Sequence, residues 1–404
     1  IDNNQRNEID WFLTCMDGGP VEPRSGPDDR DPADRPSASM DPYHAFIACG
    51  LYQQGIHGEK PSIPWYAIMG NHEWYALGTL PIVEIFGARR IAPLPMPLLR
   101  LGISIPRWLD PEGDVAYGPI TPANPGPPAI LDFPCYVIPN PDRRYLSIPE
   151  MIESFRQTRT QPPGHGFPDT SPSRTWYSVS PLPGLRLIAL DTSYRFDPLV
   201  GSICSEGFLI RAQLNFLKAE LRKAEQKKEV VVVATHHPSH NLDQFGCPDV
   251  TGDELRAVLA DSPAVVLHLC GHIHRNRVIR RAHYVEIETA SIIDCPQEGR
   301  WIEIWRSDVD GSILLKYEMF SHLATVDAGS MELDALDDDP LAAMREYAYE
   351  MACEDGAAPI ARKTARMVKG FDEILDVTPV GDLTGSSAGY CNDDRQGMIR
   401  LPAQ

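Results

Sequence analysis

The hydrophobic pattern of residues 185–270 alternates between short apolar runs and longer segments with apolar residues at helical spacing. The runs predict three buried strands, and the segments between them predict two helices. In chain order these elements are strand 185–190, helix 212–227, strand 230–234, helix 251–260 and strand 264–270. Thr251 or Asp253 is suited to cap the second helix. This alternation indicates an α/β sheet.

The flanking sequence predicts further elements on both sides of this sheet. Upstream they are an amphipathic helix at 9–16, a helix from about 43 to 54, a strand at 63–69 and a helix near 149–157. Downstream, alternating apolar positions predict strands at 284–287, 301–305 and 313–317, and helical segments follow at 340–353 and 360–368. We expect the downstream strands to be antiparallel and to form a second sheet packed against the first. The residues after the last helix are expected to be a loosely held tail.

The predicted fold class is therefore α/β, with two packed mixed β-sheets flanked by helices. Residues 1–320 are expected to form this domain. Within it, residues 76–175 hold many prolines, but aromatic residues such as Trp108 and Tyr145 are too frequent for a disordered linker, so we expect an ordered insertion. Residues 321–404 are expected to form a helical appendage and tail.

Composition narrows the function classes. The 404 residues include 37 Lys and Arg against 56 Asp and Glu, a net charge of −19, which argues against a nucleic-acid partner. No apolar run approaches the ~18 residues of a membrane-spanning helix. The nine cysteines contain no C-x-x-C pair, so they do not predict a structural zinc site. The chain begins at Ile1 and not at methionine, so a signal peptide could have been removed, and this leaves the compartment open, with an exported protein favoured over a cytoplasmic one.

Residues that can bind metals follow three of the predicted strands. They are Asn71, His72 and Glu73 after Gly70, His236 and His237 after Thr235, and His272 and His274 after Gly271. A glycine lets the backbone turn sharply, and the carboxyl ends of strands are where open α/β sheets bind ligands. Imidazole nitrogens with amide or carboxylate oxygens favour Zn, Mn or Fe, and histidines two residues apart suit different ions of a close pair. The other histidines considered (His44, His57, His240 and His283) are interpreted as hydrogen-bonded turn or core residues.

These motifs occur in a recognisable order. GNHE, then H-x-P after a valine-rich strand, then GHxH resembles the pattern of the calcineurin-like metallophosphoesterase superfamily, over about residues 1–320. The segments DNNQRNE, PDRRYLS and GHGF resemble a bacterial subgroup with a long insertion after GNH. The resemblance implies a metallophosphoesterase-like αββα sandwich and the hydrolysis of a phosphate ester.

The resemblance also implies roles for individual residues. Asn71, His236 and His272 would hold one metal ion, and His274 would reach the other. His72 would face the phosphate, to protonate the leaving oxygen or stabilise the transition state, with Glu73 orienting it. His236 is preferred to His237 because the family places its ligand two residues before the proline. Two divalent or trivalent ions (Mn, Fe or Zn) would activate a hydroxide to attack a phosphorylated small molecule or lipid, as a monoester or a diester.

The chain also departs from the family pattern. The family requires a D-x-H motif and a Gly-Asp whose carboxylate bridges the metals, but these residues contain no D-x-H, and their Gly-Asp pairs do not follow strands. We therefore expect the first strands and three ligands to be missing upstream. This chain would then hold one ion or none and be weakly active or inactive.

Two other functions remain open at this point. One is a non-catalytic scaffold or binding protein of the same fold, and the other is a module that binds a single metal ion. A related choice concerns His165 in the insertion, which is either a phosphate contact or a structural turn histidine, and we favour the turn.

Overall fold

The computed structural model describes residues 4–23, 45–53, 61–76, 78, 80–85, 88–91, 116–117, 135–136, 141–194, 206–242, 249–293, 297–321 and 392–402. The chain forms two compact units. The first comprises Ile1–Tyr177 and Asp191–Phe208, and the second comprises Ser178–Leu190 and Leu209–Gln404. No helix in the described ranges is both long and apolar enough to cross a membrane.

The first unit combines α-helices with small antiparallel sheets. Its described elements are α1 (Arg6–Asp17), β1 (Gly19–Val21), β2 (Phe46–Ala48), α2 (Asn71–Trp74), β3 (Tyr75–Ala76), β4 (Leu80–Ile85), β5 (Ala88–Ile91), β6 (Ala116–Tyr117), β7 (Cys135–Tyr136) and α3 (Ile148–Arg156). The strands pair as β1–β2, β3–β4–β5 and β6–β7, and every pairing is antiparallel. The described sheets of this unit are therefore small, with two or three strands each.

An aromatic cluster joins the two longer helices of the first unit. The helices predicted at 9–16 and 149–157 are confirmed as α1 and α3. Phe12 of α1 packs edge-on against Trp65, with ring centroids 6.0 Å apart, and Phe155 of α3 lies 5.9 Å from the same ring. Such pairs contribute about 0.5–1.5 kcal/mol each beyond the area they bury.

Two local predictions for the first unit are wrong. The helix expected over 43–54 contains strand β2, because these residues pair with β1 across the unit. The strand expected at 63–69 is a loop without strand pairing. Its backbone bonds to another loop instead, as in the hydrogen bond from Trp65 N–H to Gln161 O (3.0 Å). Both errors arise because the hydrogen-bond partners are distant in sequence.

The second unit contains two sheets and the helices that flank them. Its described elements are β8 (Tyr177–Leu182), β9 (Leu185–Ala189), α4 (Arg211–Lys227), β10 (Val230–Ala234), α5 (Gly252–Asp261), β11 (Val265–Cys270), β12 (Arg277–Arg280), β13 (Val285–Glu288), β14 (Glu298–Arg306), β15 (Ile313–Ser321), α6 (Asn392–Arg395) and β16 (Gln396–Leu401). The larger sheet is mixed, with strand order β12–β13–β11–β10–β9–β8; β9, β10, β11 and β13 are parallel, and β12 is antiparallel to β13. The smaller sheet, β14–β15–β16, is antiparallel.

The two faces of β10 enter different hydrophobic cores. Val231 and Val233 pack in one core with Leu217 of α4. Val232 packs in the other core with Ile313 of the smaller sheet. The unbroken valine run is therefore buried on both faces, as its composition predicts. Thr251 caps α5 by accepting a hydrogen bond from Glu254 N–H, which settles the choice of cap.

One predicted strand belongs to a different sheet. The segment expected at 284–287 in the second sheet is β13, which pairs in parallel with β11 of the larger sheet. Its Val285 and Ile287 pack in the core between the sheets. The alternation of apolar positions therefore indicates that these side chains are buried, but it does not identify the neighbouring strand. The segments at 301–305 and 313–317 form β14 and β15, as expected.

The expected tail is partly wrong. Gln396–Leu401, predicted to be loosely held, forms β16 and pairs with β15 over six residues, from Gln396 opposite Glu318 to Leu401 opposite Ile313. The helices predicted at 340–353 and 360–368 lie outside the described residues. The insertion at 76–175 and the division after residue 320 stay predictions.

Candidate metal centre

Two parallel strands deliver histidines to one edge of the larger sheet. β10 and β11 pair in parallel, so their carboxyl ends lie side by side. His236 follows β10, and His272 follows β11. Two backbone hydrogen bonds hold the loops together, one from Thr235 N–H to Leu269 O and one from Gly271 N–H to His236 O, each 2.9 Å long.

His236, His237 and His272 form a group that we call the His triad. Each offers one ring nitrogen, and these nitrogens lie within 4.8 Å of one another. Nε2 of His236 lies 3.3 Å from Nδ1 of His272. Two nitrogens that bind one tetrahedral ion at about 2.0–2.1 Å are themselves about 3.4 Å apart. The donor set therefore fits one transition-metal ion.

Exposure differs within the His triad. His237 is fully buried, with its ring centroid 4.2 Å from that of His272. His236 and His272 are half-buried, so both residues are partly exposed to solvent. This arrangement allows an ion and a small substrate to approach His236 and His272 from outside.

The loop after β11 has an unusual backbone. His272 and His274 have φ angles of +69° and +55°. We expected Gly271 to make the sharp turn, but Gly271 is outside the left-handed region, and the two histidines adopt it instead. Residues other than glycine rarely occupy this region, and when they do they cluster at functional sites, so the conformation supports a functional role for this loop.

A buried polar network lies beneath the His triad. The Thr235 hydroxyl donates to the His237 carbonyl (2.7 Å) and lies 2.9 Å from Nε2 of His268. Nδ1 of His268 lies 3.1 Å from the Glu286 carboxylate, which also accepts a hydrogen bond from Ser239 (2.8 Å). Burial raises the pKa of Glu286, but His268, Arg281 and Ser239 together hold it well below its usual range. An ionised Glu286 thus anchors the backbone that carries the histidines.

The remaining predicted residues are placed as follows. His274 lies in the same loop as His272 but is not a member of the His triad. Asn71 and His72 lie in the first unit on α2. Asn71 is buried, and its side-chain nitrogen donates to Gly78 O (2.9 Å). The Glu73 carboxylate accepts a hydrogen bond from Gly70 N–H (2.7 Å), so its observed role is to cap the helix that carries both side chains.

Gly78 packs directly against Asn71 and His72, the two predicted site residues of the first unit. An alanine substitution there should therefore cost more stability than the same substitution at Gly271. Gly78 has φ +64°, and a Cβ there would lie 2.5 Å from His72 Nε2 and 2.7 Å from Asn71 Nδ2. A Cβ on Gly271 would meet Thr289 O at an ordinary 3.5 Å. We therefore expect Gly78→Ala to lower the free energy of unfolding by at least about 1–2 kcal/mol.

Gly271→Ala is the matched control for this prediction. It should change the free energy of unfolding by less than about 0.5 kcal/mol. Chemical denaturation of both variants provides the comparison. Equal stabilities would show that Gly78 does not confine the Asn71 and His72 side chains.

Asp191 is a buried residue whose structural role the sequence did not reveal. It follows β9, is fully buried, and accepts hydrogen bonds from Trp74 Nε1 (2.9 Å), Ser193 N–H (2.9 Å) and the Thr175 hydroxyl. Burial raises its pKa to about 6 despite these donors. Through Trp74 it holds the end of α2. Its position directly after a predicted apolar strand is the feature of the sequence that could have indicated this role.

His165 is a structural residue, as we expected. It is fully buried, and its ring stacks on Trp65 with centroids 3.5 Å apart. Its ring nitrogens lie 2.6 Å from the Thr158 hydroxyl and 3.2 Å from Trp65 O. Burial lowers its pKa. A side chain held on all sides in this way is not presented to a phosphate.

A search of curated proteins gives a partial similarity. The chain is 39% identical over 75 residues to a candidate cyclic nucleotide phosphodiesterase from Synechococcus sp. (strain WH7803). The aligned segment covers 17% of this chain and 28% of the relative, so the chain spans little more than a quarter of that protein. No protein-family model matches the chain.

Solved structures give low overall similarity. A dimetal phosphatase from Danio rerio aligns with a TM-score of 0.32 and 16% identity, over 44% of this chain and 68% of that one. A candidate 5′-nucleotidase from Staphylococcus aureus aligns with a TM-score of 0.30 and 14% identity, over 50% of this chain and 39% of that one. Each of these similarities covers only part of the chain.

Proposed function

We propose that this chain takes part in the metal-dependent hydrolysis of a phosphate ester, as the metallophosphoesterases do whose motifs it resembles. The observation that carries the proposal is the His triad, in which histidines after adjacent parallel strands present ring nitrogens 3.3 Å apart. The partial similarity to a candidate cyclic nucleotide phosphodiesterase supports the same chemistry. The shared core between the two sheets and the helices α4 and α5 on the other face of the larger sheet support an αββα sandwich.

The proposed ligands follow from the donor set. His236 and His272 would hold one ion of Zn, Mn or Fe, because imidazole nitrogens suit these metals. A bound ion of this kind supplies Lewis-acid chemistry, which offsets phosphate charge and makes water more acidic. His274 keeps its proposed role toward a second ion. The sequence contains no D-x-H motif, so we expect this chain to hold at most one ion of such a pair.

The residues of the first unit have proposed roles of their own. Asn71 is proposed as an oxygen ligand, since the hydrogen bond from its amide nitrogen to Gly78 O fixes the orientation of the amide group. His72 is proposed to hold a proton and deliver it to the leaving oxygen of the ester. The capped helix α2 and the Trp74–Asp191 hydrogen bond keep His72 in place. We propose a phosphorylated small molecule or lipid as the substrate.

Hydrolysis of two chromogenic esters tests this proposal. Bis(4-nitrophenyl) phosphate represents diesters, and 4-nitrophenyl phosphate represents monoesters. We expect slow turnover of at least one of them by Mn²⁺-loaded protein, above that of the metal-free protein. His72→Ala should lower this rate by about a hundredfold or more, since it removes the proton donor.

His283→Ala is the control, because His283 contacts the Ser262 carbonyl (2.8 Å) and belongs to neither proposed role. Its turnover should equal that of the unaltered chain. Absence of metal-dependent turnover with both esters would contradict the proposal. In that case a non-catalytic binding protein of the same fold would be the better account.

A further inference from the structure

A second group of ligating side chains contains none of the proposed ligands of the phosphoesterase site. Glu288, at the end of β13, has a side chain only 1% exposed, and neither of its carboxylate oxygens has a hydrogen-bond partner among the described residues. Burial raises its pKa to about 7. A buried carboxylate without donors is costly, and proteins usually pair such a group or use it to coordinate a metal.

Two further ligands surround this carboxylate. His240 Nδ1 lies 3.4 Å from Glu288 Oε1, and the ligand atoms of His240, Glu286 and Glu288 all lie within 4.8 Å of one another. Glu286 is held in position by its bonds to Ser239 and His268. Glu286 is therefore already held in position, whereas the Glu288 carboxylate accepts no hydrogen bond from the described residues.

The imidazole of this group is suited to bind a metal ion. Burial and the positive charge of Arg277 lower the pKa of His240, which favours the neutral form that coordinates metals. Its side chain is 38% exposed, whereas both glutamates are almost fully buried. An ion thus has a route from solvent past His240 to the carboxylates.

Two arginines compete with a cation for these carboxylates. Arg281 Nη2 lies 3.1 Å from Glu286 Oε1, and Arg277 Nη1 lies 3.7 Å from Glu288 Oε1. The longer separation is outside hydrogen-bond range, and the Arg277 side chain is 46% exposed. Arg277 is therefore free to move away when an ion binds Glu288, while Arg281 continues to neutralise Glu286.

We propose that His240, Glu286 and Glu288 bind a divalent transition-metal ion, with Zn²⁺ or Mn²⁺ favoured by one imidazole and two carboxylates. The site uses none of the residues assigned to phosphate-ester hydrolysis. His240 lies four residues after His236, and Glu288 pairs with Cys270 next to the loop that carries His272. An ion here would fix both loops that carry the His triad.

Zinc binding by two variants tests the site. Chelator-treated protein is dialysed against Zn²⁺, and bound zinc is counted by mass spectrometry and titrated against a chromophoric chelator. Glu288→Gln keeps the shape but removes the anionic ligand, so we expect it to bind one ion fewer, or to bind that ion at least about tenfold more weakly. His240→Ala, at a more exposed position, should show the same loss.

Two controls separate this site from the proposed function. Glu303→Gln, an exposed carboxylate paired with Lys316, should bind zinc as the unaltered chain does. His272→Ala should leave the Glu288-dependent ion in place. The proposal is overturned if Glu288→Gln and His240→Ala both keep the full zinc count and affinity. Metal-free Glu288→Gln should unfold no more easily than the unaltered chain, because it removes a buried carboxylate that accepts no hydrogen bond from the described residues.

Discussion

A chain carrying His272→Ala is expected to lose the transition-metal ion of the His triad. Nδ1 of His272 and Nε2 of His236 are 3.3 Å apart, which is the spacing of two ligands on one ion. Loss of a direct ligand should weaken Zn²⁺ binding there by at least about a hundredfold, since loss of a group that only supports a ligand already weakens it by about 10–100-fold. Chelator competition measures this affinity.

The visible spectrum of Co²⁺ gives a second readout for His272→Ala. Co²⁺ bound to histidine nitrogens in a tetrahedral site absorbs strongly, and the variant should lack that absorption. His283→Ala should keep it, because its ring contacts the Ser262 carbonyl away from the triad. Unchanged Zn²⁺ affinity and an unchanged Co²⁺ spectrum in His272→Ala would show that the triad is not a metal centre.

Asp191→Asn is expected to change how stability depends on pH. Burial raises the pKa of Asp191 from 3.8 to about 6. Between these values the unfolded chain releases the proton while the folded chain retains it, so folded-state stability falls as the pH rises. The difference between these two pKa values corresponds to a loss of about 3 kcal/mol, which is complete by about pH 7.

The Asn side chain does not ionise, so the variant lacks this loss. The stability of the unaltered chain relative to Asp191→Asn should therefore fall by up to about 3 kcal/mol between about pH 4 and 7. Chemical denaturation at several pH values measures the difference. The other titratable groups are the same in both proteins, so their contributions to the difference in stability cancel.

Asp310→Asn supplies a control of opposite sign. Hydrogen bonds from Ser312 and Ser307 hold the pKa of Asp310 below its usual range. Its contribution to stability is therefore present at neutral pH and lost as the pH falls through the folded-state pKa. If the Asp191→Asn difference were constant with pH, Asp191 would ionise alike in the folded and unfolded chain.

The sequence predicted the parts of the fold that local pattern determines. The valine run of β10 and the leucine spacing of α4 identified their elements, because burial on two faces and on one helical face leaves distinct periodicities. The same pattern could not assign β13 to its sheet. Nor could it show that Gln396–Leu401 returns to pair with β15, since that pairing joins segments far apart in sequence.

The sequence likewise predicted only part of the candidate site. His236 and His272 come together because both follow parallel strands, and that order is visible in the sequence. Glu288 was not singled out, because a lack of hydrogen-bond partners is a property of the folded chain and not of the residue type. His240 was interpreted as a turn or core residue. The positive φ of His272 was not predicted either, because the glycine one residue earlier was the expected position of the turn.

Anomalous diffraction from a crystal of this chain soaked in Zn²⁺ shows whether the His triad binds a metal ion. We predict a zinc peak at coordination distance, about 2.0–2.1 Å, from both His236 Nε2 and His272 Nδ1. Glu288 provides an internal reference, since a separate peak is expected there. Data that show no zinc at His236 and His272, with their rings placed as described, would contradict the claim that these residues form a metal centre.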